Sequence, residues 1–272
     1  MNISEALGSA ARQLAATSDT ARLDAELLMA HALDVSREEM LLRRLDEPVP
    51  EAFDALLARR LAAEPIAYIT GRRAFWTIEL EVGPGALVPR PDSEALIEAA
   101  LAHFGKAGPR TILDLGTGPG TLLLAALAQW PGASGIGIDA SSAALDYACR
   151  NAERLGLAAR AAFRVRDWTS GVAGSFDLIL CNPPYVEDGA PLPRDVAEWE
   201  PAEALFAGPH GLDEYRRLAP ALPPLLAAGG AACVEVGAGQ FDAVASLFRH
   251  CGFTIAAHKD LSGQDRCLIA TR

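Results

Sequence analysis

From Thr111 onward, short apolar runs alternate with amphipathic stretches, and this rhythm constrains the fold more than any other feature. The apolar runs predict strands and the amphipathic stretches predict helices. The predicted strands are 111–115, 135–139, 162–166, 176–181, 231–236, 253–257 and 266–270, the last two antiparallel; the predicted helices are 94–104, 121–129, 143–155, 212–226 and 241–250. Such alternation is typical of a mostly parallel sheet with ligands at the carboxyl ends of its strands. Residues 85–272 are therefore predicted to form an α/β domain.

The first 63 residues carry only helical patterns and predict a small helical bundle. The expected apolar face of the first helix is Leu7, Ala11, Leu14 and Ala15, and that of the second is Leu23, Leu27, Leu28, His31 and Ala32. Ser36 and Glu39 match a capping box that begins a third helix, and Phe53 lies on a fourth. Alternating apolar and polar residues then predict a β-hairpin, so residues 64–84 are interpreted as a linker.

The charge balance restricts the partners of the protein. There are 24 Lys and Arg residues and 35 Asp and Glu residues, a net charge of −11 that disfavours non-specific binding to nucleic acid or anionic membranes. The longest uncharged stretch, 115–138, is interrupted by glycines and prolines and does not predict a membrane span. The cysteines are scattered, the N-terminus lacks a secretory pattern, and the histidines show no metal-ligand spacing. We therefore expect a cytoplasmic protein without a bound metal, and we also expect it to be a monomer.

A glycine-rich turn, Asp114-Leu115-Gly116-Thr117-Gly118-Pro119-Gly120, follows the first strand and begins a helix. Glycines let the backbone approach a ligand closely, and free N–H groups at a helix start attract polar groups. Asp139 ends the second strand and can accept both hydroxyls of a ribose. Asp167 and Trp168 end the third, where a carboxylate can take an adenine amine and an indole can pack on the ring. A tight turn without a ligand is the alternative.

The spacing of this turn is GxGxG and not GxGxxG. It favours S-adenosylmethionine over NAD, because S-adenosylmethionine has no pyrophosphate to cradle. The three successive strand ends therefore predict an S-adenosylmethionine site.

Asn182-Pro183-Pro184-Tyr185 follows the apolar strand at 176–181 and predicts an acceptor site. A planar amide or exocyclic amine is a weak nucleophile because its lone pair is delocalised. The Asn182 side-chain oxygen and the Pro183 carbonyl can hold its two N–H groups and aim the nitrogen at the cofactor methyl. The prolines fix the backbone, and Tyr185 can stack on the planar group. The alternative, a proline-stiffened turn, leaves the aromatic residue unexplained.

On these motifs the chain resembles the HemK/PrmC family of release-factor glutamine N5-methyltransferases, over nearly its whole length. The other similar segments are 64–71, 88–94, Glu200-Pro201 with 211–216, and 259–266. The resemblance implies a Rossmann-like, seven-stranded class I methyltransferase domain behind a small helical domain. It also implies that the acceptor is the glutamine in the GGQ motif of peptide-chain release factors. The helical domain is then expected to help dock the release factor.

Carried over motif by motif, Gly116–Gly120, Asp139, Trp168 and Asn182 would hold the cofactor, and Asn182–Tyr185 would hold the glutamine amide. Arg90, in Val-Pro-Arg-Pro, is a candidate for contacting the substrate or bracing the acceptor segment, with a plain salt bridge as the alternative. The chain departs from the family at Pro119 and at 206–210.

Three other functions stay open. An adenine-N6 DNA methyltransferase fits the same acceptor chemistry, but the acidic charge and the lack of a basic recognition segment oppose it. The motif alone does not distinguish a methyltransferase for a ribosomal-protein glutamine from one for a release-factor glutamine. A non-catalytic S-adenosylmethionine sensor would have no use for the intact acceptor segment.

Overall fold

The computed structural model describes residues 1–272, which form eleven α-helices and nine β-strands. The helices are α1 (Ile3–Leu14), α2 (Ala21–Ala32), α3 (Arg37–Arg43), α4 (Ala52–Leu61), α5 (Ile66–Thr70), α6 (Glu94–Phe104), α7 (Thr121–Gln129), α8 (Ser142–Arg154), α9 (Arg194–Ala197), α10 (Asp213–Leu218) and α11 (Phe241–His250). The strands are β1 (Arg72–Phe75), β2 (Ile78–Glu81), β3 (Thr111–Leu115), β4 (Ser134–Asp139), β5 (Ala161–Val165), β6 (Phe176–Cys181), β7 (Leu226–Glu235), β8 (Thr254–Lys259) and β9 (Asp265–Thr271). No helix is both long and apolar enough to cross a bilayer.

Contacts within the chain define two units. The first comprises Met1–Arg72 and Leu192–Glu200, and the second comprises Arg73–Pro191 and Pro201–Arg272. The first division falls inside the predicted linker, whereas the return of 192–200 to the helical unit has no counterpart in the sequence pattern. The domain limits at 63 and 84 stay predictions.

The helical unit packs around side chains from α1, α2 and α4. Its largest fully buried residues include Leu7, Leu28 and Phe53. The predicted face of α1 was partly wrong, because Ala15 is exposed and lies beyond the helix. The buried residues of α1 are Ile3, Ala6, Leu7, Ala10 and Leu14.

The predicted face of α2 was also wrong. Leu23 is 41% exposed, while Asp24 and Glu26 are buried. Arg60 pairs with Asp24 at 2.7 Å, and Arg37 donates from Nε to Glu26 at 2.8 Å. Burial of a carboxylate is tolerated when a cation pairs with it. The buried face of α2 therefore includes these two ion-paired carboxylates and differs from the face that the apolar residues predict.

The linker contains a helix that the alternation did not predict. Residues Ile66–Thr70 form α5, which ends at Gly71 with φ 73°. Ile69 packs into the core of the helical unit. Only 72–75 and 78–81 form the hairpin.

The second unit contains a seven-stranded sheet in the order β5-β4-β3-β6-β7-β9-β8. Strands β3 to β7 pair in parallel, and β9 pairs antiparallel with both β7 and β8. The predicted α/β fold and the antiparallel last pair are confirmed. Residues 112–115 of β3 and 178–181 of β6 are buried, as expected for parallel strands covered on both faces.

The predicted helix over 212–226 was wrong in its second half. Helix α10 ends at Leu218, a 3₁₀ turn covers Pro223–Leu225, and β7 begins at Leu226. Pro220, Pro223 and Pro224 lack the N–H groups that a continued helix needs, so the chain leaves the helix before them.

Candidate active site

The carboxyl ends of β3, β4, β6 and β7 meet at one edge of the sheet. The strand order reverses between β3 and β6, and ligands of such sheets bind at this reversal. A cavity of about 600 Å³ lies there, within the range of small-molecule sites. The predicted site residues that line it are Gly116, Gly118, Asp139, Asp167, Trp168, Asn182 and Pro184. Thr117, Pro119, Gly120, Pro183, Tyr185 and Arg90 are not among its lining residues.

The glycine-rich turn is held by hydrogen bonds to the end of β4. The amides of Gly116 and Thr117 donate to the Ile138 carbonyl at 2.8 and 2.9 Å, and the Gly118 amide donates to Asp139 Oδ2 at 2.8 Å. Gly118 has φ 54°, and a Cβ there would meet no atom within 4 Å. The turn therefore presents backbone, without a side chain, to the cavity.

The other residues of the turn serve its fold. Thr117 Oγ1 donates to Asp114 Oδ2 at 2.6 Å, and the Pro119 carbonyl accepts from Asn151 Nδ2 at 3.0 Å. Gly120 has φ 88°, and a Cβ there would lie 2.7 Å from a leucine side chain of α7. These contacts fix the start of α7 beneath the cavity.

Asp139 braces the turn and also faces the cavity. Its two oxygens accept the amides of Gly118 and Ser141, each at 2.8 Å. Burial raises the pKa of this carboxyl, and the backbone N–H groups oppose that rise. A carboxylate has about four acceptor sites, so capacity remains for the hydroxyl groups of a ligand.

Trp168 lies beside the glycine-rich turn, and its predicted packing on an adenine ring stays a prediction. Its ring is 3.3 Å from the position that a Cβ on Gly116 would take, and its indole Nε1 donates to Glu214 Oε2 at 2.5 Å. Asp167 lines the same cavity, but both of its oxygens accept Arg217 Nη2 at 2.7 Å. This ion pair competes with the adenine amine for the Asp167 oxygens, and the role predicted for Asp167 stays a prediction.

The Asn182–Tyr185 segment directly follows β6 and is held at both ends. Asn182 Nδ2 donates to Ser93 Oγ at 3.2 Å, which leaves Asn182 Oδ1 as an acceptor. The Tyr185 carbonyl accepts from Gln240 Nε2 at 3.0 Å. Within the segment, Pro183 is buried.

Tyr185 donates its hydroxyl to Glu235 Oε1 at 3.2 Å. Burial raises the pKa of the phenol well above its usual range, the Glu235 charge adds to the rise, and the charges of Arg266 and Arg90 oppose it. Arg90 also acts on Arg73, whose pKa is lowered by burial and then by the Arg90 charge. Arg90 thus lies within electrostatic reach of the acceptor segment.

Two buried carboxyl groups at the sheet edge were missed from the sequence. Burial raises the pKa of Asp114 to about 7, against the Thr117 hydroxyl and the Leu123 amide. Burial likewise raises the pKa of Glu235 to about 7. Asp114 Oδ1 and Glu235 Oε2 have no partner in hydrogen-bonding geometry. An acidic residue inside an apolar strand was the available signal at both positions.

The sheet order and this cavity define a class I methyltransferase. The chain matches the family described as PrmC N-terminal domain over residues 5–71 and the one described as Methyltransferase small domain over residues 93–198. A 16S rRNA methyltransferase from T. thermophilus, solved in complex with AdoMet and guanosine, shares the fold, with a TM-score of 0.52 and 21% identity. That similarity covers 74% of this chain and 49% of the other.

Curated relatives identify a family within this class of methyltransferases. The release factor glutamine methyltransferase of Rhodospirillum rubrum is 48% identical, over 92% of this chain and 79% of its own length. The protein of the same name from Cereibacter sphaeroides is 42% identical, over 99% of this chain and 98% of its own length. The chain belongs to the family of release factor glutamine methyltransferases, which confirms the resemblance seen in the motifs.

Proposed function

We propose that this protein transfers the methyl group of S-adenosylmethionine to the side-chain amide nitrogen, N5, of the glutamine in the GGQ motif of peptide-chain release factors. The observation that carries the proposal is that Asn182 and Pro184 line the same cavity as Gly116, Gly118 and Asp139. A cofactor at the glycine-rich turn and an amide at the acceptor segment would therefore meet. The names of the curated relatives support the release factor as acceptor.

The cofactor residues are those of the turn and of the next two strand ends. Gly116 and Gly118 offer bare backbone, Asp139 offers acceptor lone pairs, and the Trp168 ring offers an apolar face. When bound, S-adenosylmethionine supplies an electrophilic methyl group on a sulfonium. The T. thermophilus neighbour solved with AdoMet supports this choice of cofactor.

The acceptor residues work by orientation. The Asn182 side-chain oxygen and the Pro183 carbonyl would accept the two N–H groups of the glutamine amide. This directs the nitrogen towards the methyl group and stabilises the positive charge that develops on it. Tyr185 would stack on the planar amide, and Arg90 would stabilise the segment or the substrate backbone. No strong base is required if the proton leaves after transfer, because positioning in such a displacement can supply about 7–11 kcal/mol.

The helical unit, residues 1–63 in the predicted division, would help dock the release factor. We infer a cytoplasmic enzyme that acts as a monomer on a protein substrate, without binding nucleic acid or membrane. The acidic net charge of −11 supports the exclusion of nucleic acid.

The test is mass spectrometry of the GGQ-containing peptide. A release factor from the same organism is incubated with this protein and S-adenosylmethionine, beside a factor whose GGQ glutamine is alanine. We expect one methyl mass on the glutamine and none on the alanine control. Asn182→Ala should lower kcat by about 10²–10³, by analogy with the loss of one oxyanion-hole donor, while cofactor binding shows that the fold persists.

Two outcomes would contradict the proposal. Turnover of Asn182→Ala near the wild-type rate would remove the role of that side chain. Cofactor binding without methylation of any release factor would favour a ribosomal-protein glutamine, then adenine in DNA, and last a sensor. The ribosomal protein and adenine-containing DNA are each offered as substrate in the same assay, and methylation of neither would favour the sensor.

A further inference from the structure

One buried carboxyl group connects the two polar side chains of the acceptor segment. Glu235, the last residue of β7, is fully buried and accepts the Tyr185 hydroxyl at 3.2 Å. Ser93, also buried, accepts Asn182 Nδ2 at 3.2 Å. The Ser93 hydroxyl lowers the pKa of the Glu235 carboxyl, and Glu235 Oε2 is buried without another hydrogen-bond partner, so this oxygen is free to accept the Ser93 hydrogen. Tyr185, at the end of the segment, is therefore linked to Glu235 directly, and Asn182, at its start, is linked to Glu235 through Ser93.

The direction of these hydrogen bonds decides what Asn182 presents to a substrate. Ser93 has one hydroxyl hydrogen, and a carboxylate is its best available acceptor. With that hydrogen directed at Glu235, the Ser93 oxygen accepts from the Asn182 amide, and Asn182 Oδ1 faces the acceptor site. If Ser93 donated to Asn182 instead, the amide would be turned over, and its NH₂ group would oppose the N–H groups of a substrate amide.

We propose that Glu235 is a positioning residue of the acceptor site, which holds Tyr185 directly and sets the orientation of the Asn182 amide through Ser93. The inference rests on the proposed function, because it takes Asn182 Oδ1 as the acceptor for the glutamine amide. It assigns to β7 a part in catalysis that the motif alone does not contain.

The pattern of donors requires Glu235 to be ionised. Burial raises its pKa to about 7, Ser93, the Arg266 charge and Tyr185 oppose the rise, and the Asp92 charge adds to it. The titratable and charged groups that face it are Asp92, Tyr185, Arg266, Cys181, Cys267 and Tyr215. A protonated Glu235 would donate a hydrogen bond and compete with this pattern, so turnover should fall as the pH falls through the pKa of Glu235.

Glu235→Gln tests the role with the smallest change in shape. One acceptor oxygen becomes an NH₂ donor, so Tyr185 or Ser93 loses its acceptor. We expect kcat to fall by about 10- to 100-fold, since small misplacements carry costs of this order. The Kd for S-adenosylmethionine should stay within about twofold, and the pH dependence near neutrality should disappear. Cys233→Ala, on the same face of β7, is the matched control and should keep the wild-type kcat and pH profile.

A second measurement does not depend on activity. The Glu235 carboxyl is followed by ¹³C NMR titration in the wild type, in Ser93→Ala and in Tyr185→Phe, with the signal assigned by through-bond correlation to the Glu235 backbone. Both substitutions remove a donor to the charged form, so both should raise the pKa of Glu235.

The two measurements separate the two proposals. Wild-type protein that methylates no release factor would overturn the proposed function, while the titration still tests the network. A methylating enzyme in which Glu235→Gln keeps the wild-type kcat and pH profile would overturn the positioning role. An unchanged Glu235 titration in both Ser93→Ala and Tyr185→Phe would overturn it as well, even if Glu235→Gln did not fold.

Discussion

Replacing Asp139 by asparagine tests the proposed cofactor site through one side chain. The carboxylate accepts the amides of Gly118 and Ser141 at 2.8 Å each, and its remaining lone pairs are assigned to the ribose. Asparagine keeps one of the two oxygens and replaces the other with an NH₂ group. That group cannot accept a hydrogen bond from the donor that faces it. The loss of one hydrogen bond to a charged group costs about 1.5–3 kcal/mol. The Kd for S-adenosylmethionine should therefore rise by about 10- to 150-fold.

Isothermal titration calorimetry measures this Kd directly, and steady-state kinetics at saturating cofactor measures kcat. We expect kcat at saturation to stay within about threefold, because Asp139 is assigned to the cofactor and not to the amide. Asp146→Asn, on the exposed side of α8, makes the same change in charge without touching the cavity and should bind like the wild type.

The pH dependence gives a further check on Asp139. Burial raises its pKa, and ribose hydroxyls donate more strongly to the ionised carboxylate, which has no O–H of its own to compete with them. Wild-type affinity should therefore fall as the pH falls through that pKa. Asp139→Asn should show no such fall. A Kd for Asp139→Asn equal to that of Asp146→Asn would refute the assignment of Asp139 to the ribose.

Two further substitutions test the support of the acceptor segment and the helical unit. Gly211→Ala would place a Cβ 2.2 Å from the Tyr185 carbonyl oxygen at φ 62°, so kcat should fall at least tenfold, as a shift of about 1 Å can cost 10²-fold. Gly189→Ala has φ 78° and open space, and it separates backbone strain from the collision; equal kcat in the two variants would contradict the prediction. Asp24→Asn removes the charge 2.7 Å from the buried Arg60 but leaves its 3.2 Å partner Asp195, so it should cost about 1.5–3 kcal/mol in urea unfolding, the value of one hydrogen bond to a charged group; an unchanged midpoint would contradict that.

The sequence predicted the elements whose signal is local. The limits of β3 and β6 agree with the apolar runs at 111–115 and 176–181, because a strand covered on both faces is mostly apolar. The glycine-rich turn and the acceptor segment follow these two strands directly. Once parallel pairing was inferred, their meeting at one sheet edge followed from geometry.

Features that depend on distant partners could not be predicted in this way. Asp167 pairs with Arg217, 50 positions away, and no local pattern indicates that the carboxylate is engaged. The burial of Asp24 in α2 depends in the same way on Arg60, 36 positions away. The apolar spacing predicts a helix over 212–226, but this range contains three prolines. Each proline interrupts a helix locally, so the sequence itself contains the signal for the earlier end of the helix.

The strand order also explains why Gly116 lies next to both the proposed cofactor site and the acceptor segment. Gly116 directly follows β3, and Asn182 directly follows its neighbour β6, with Leu115 paired to Cys181. A Cβ on Gly116 would lie 3.3 Å from the Trp168 ring and 3.7 Å from the Asn182 carbonyl oxygen. Any side chain there would press on the aromatic residue of the cofactor site and on the start of the acceptor segment together. In the proposed reaction, the close approach of the two strand ends would bring the methyl group and the amide together, so orientation would replace a strong base.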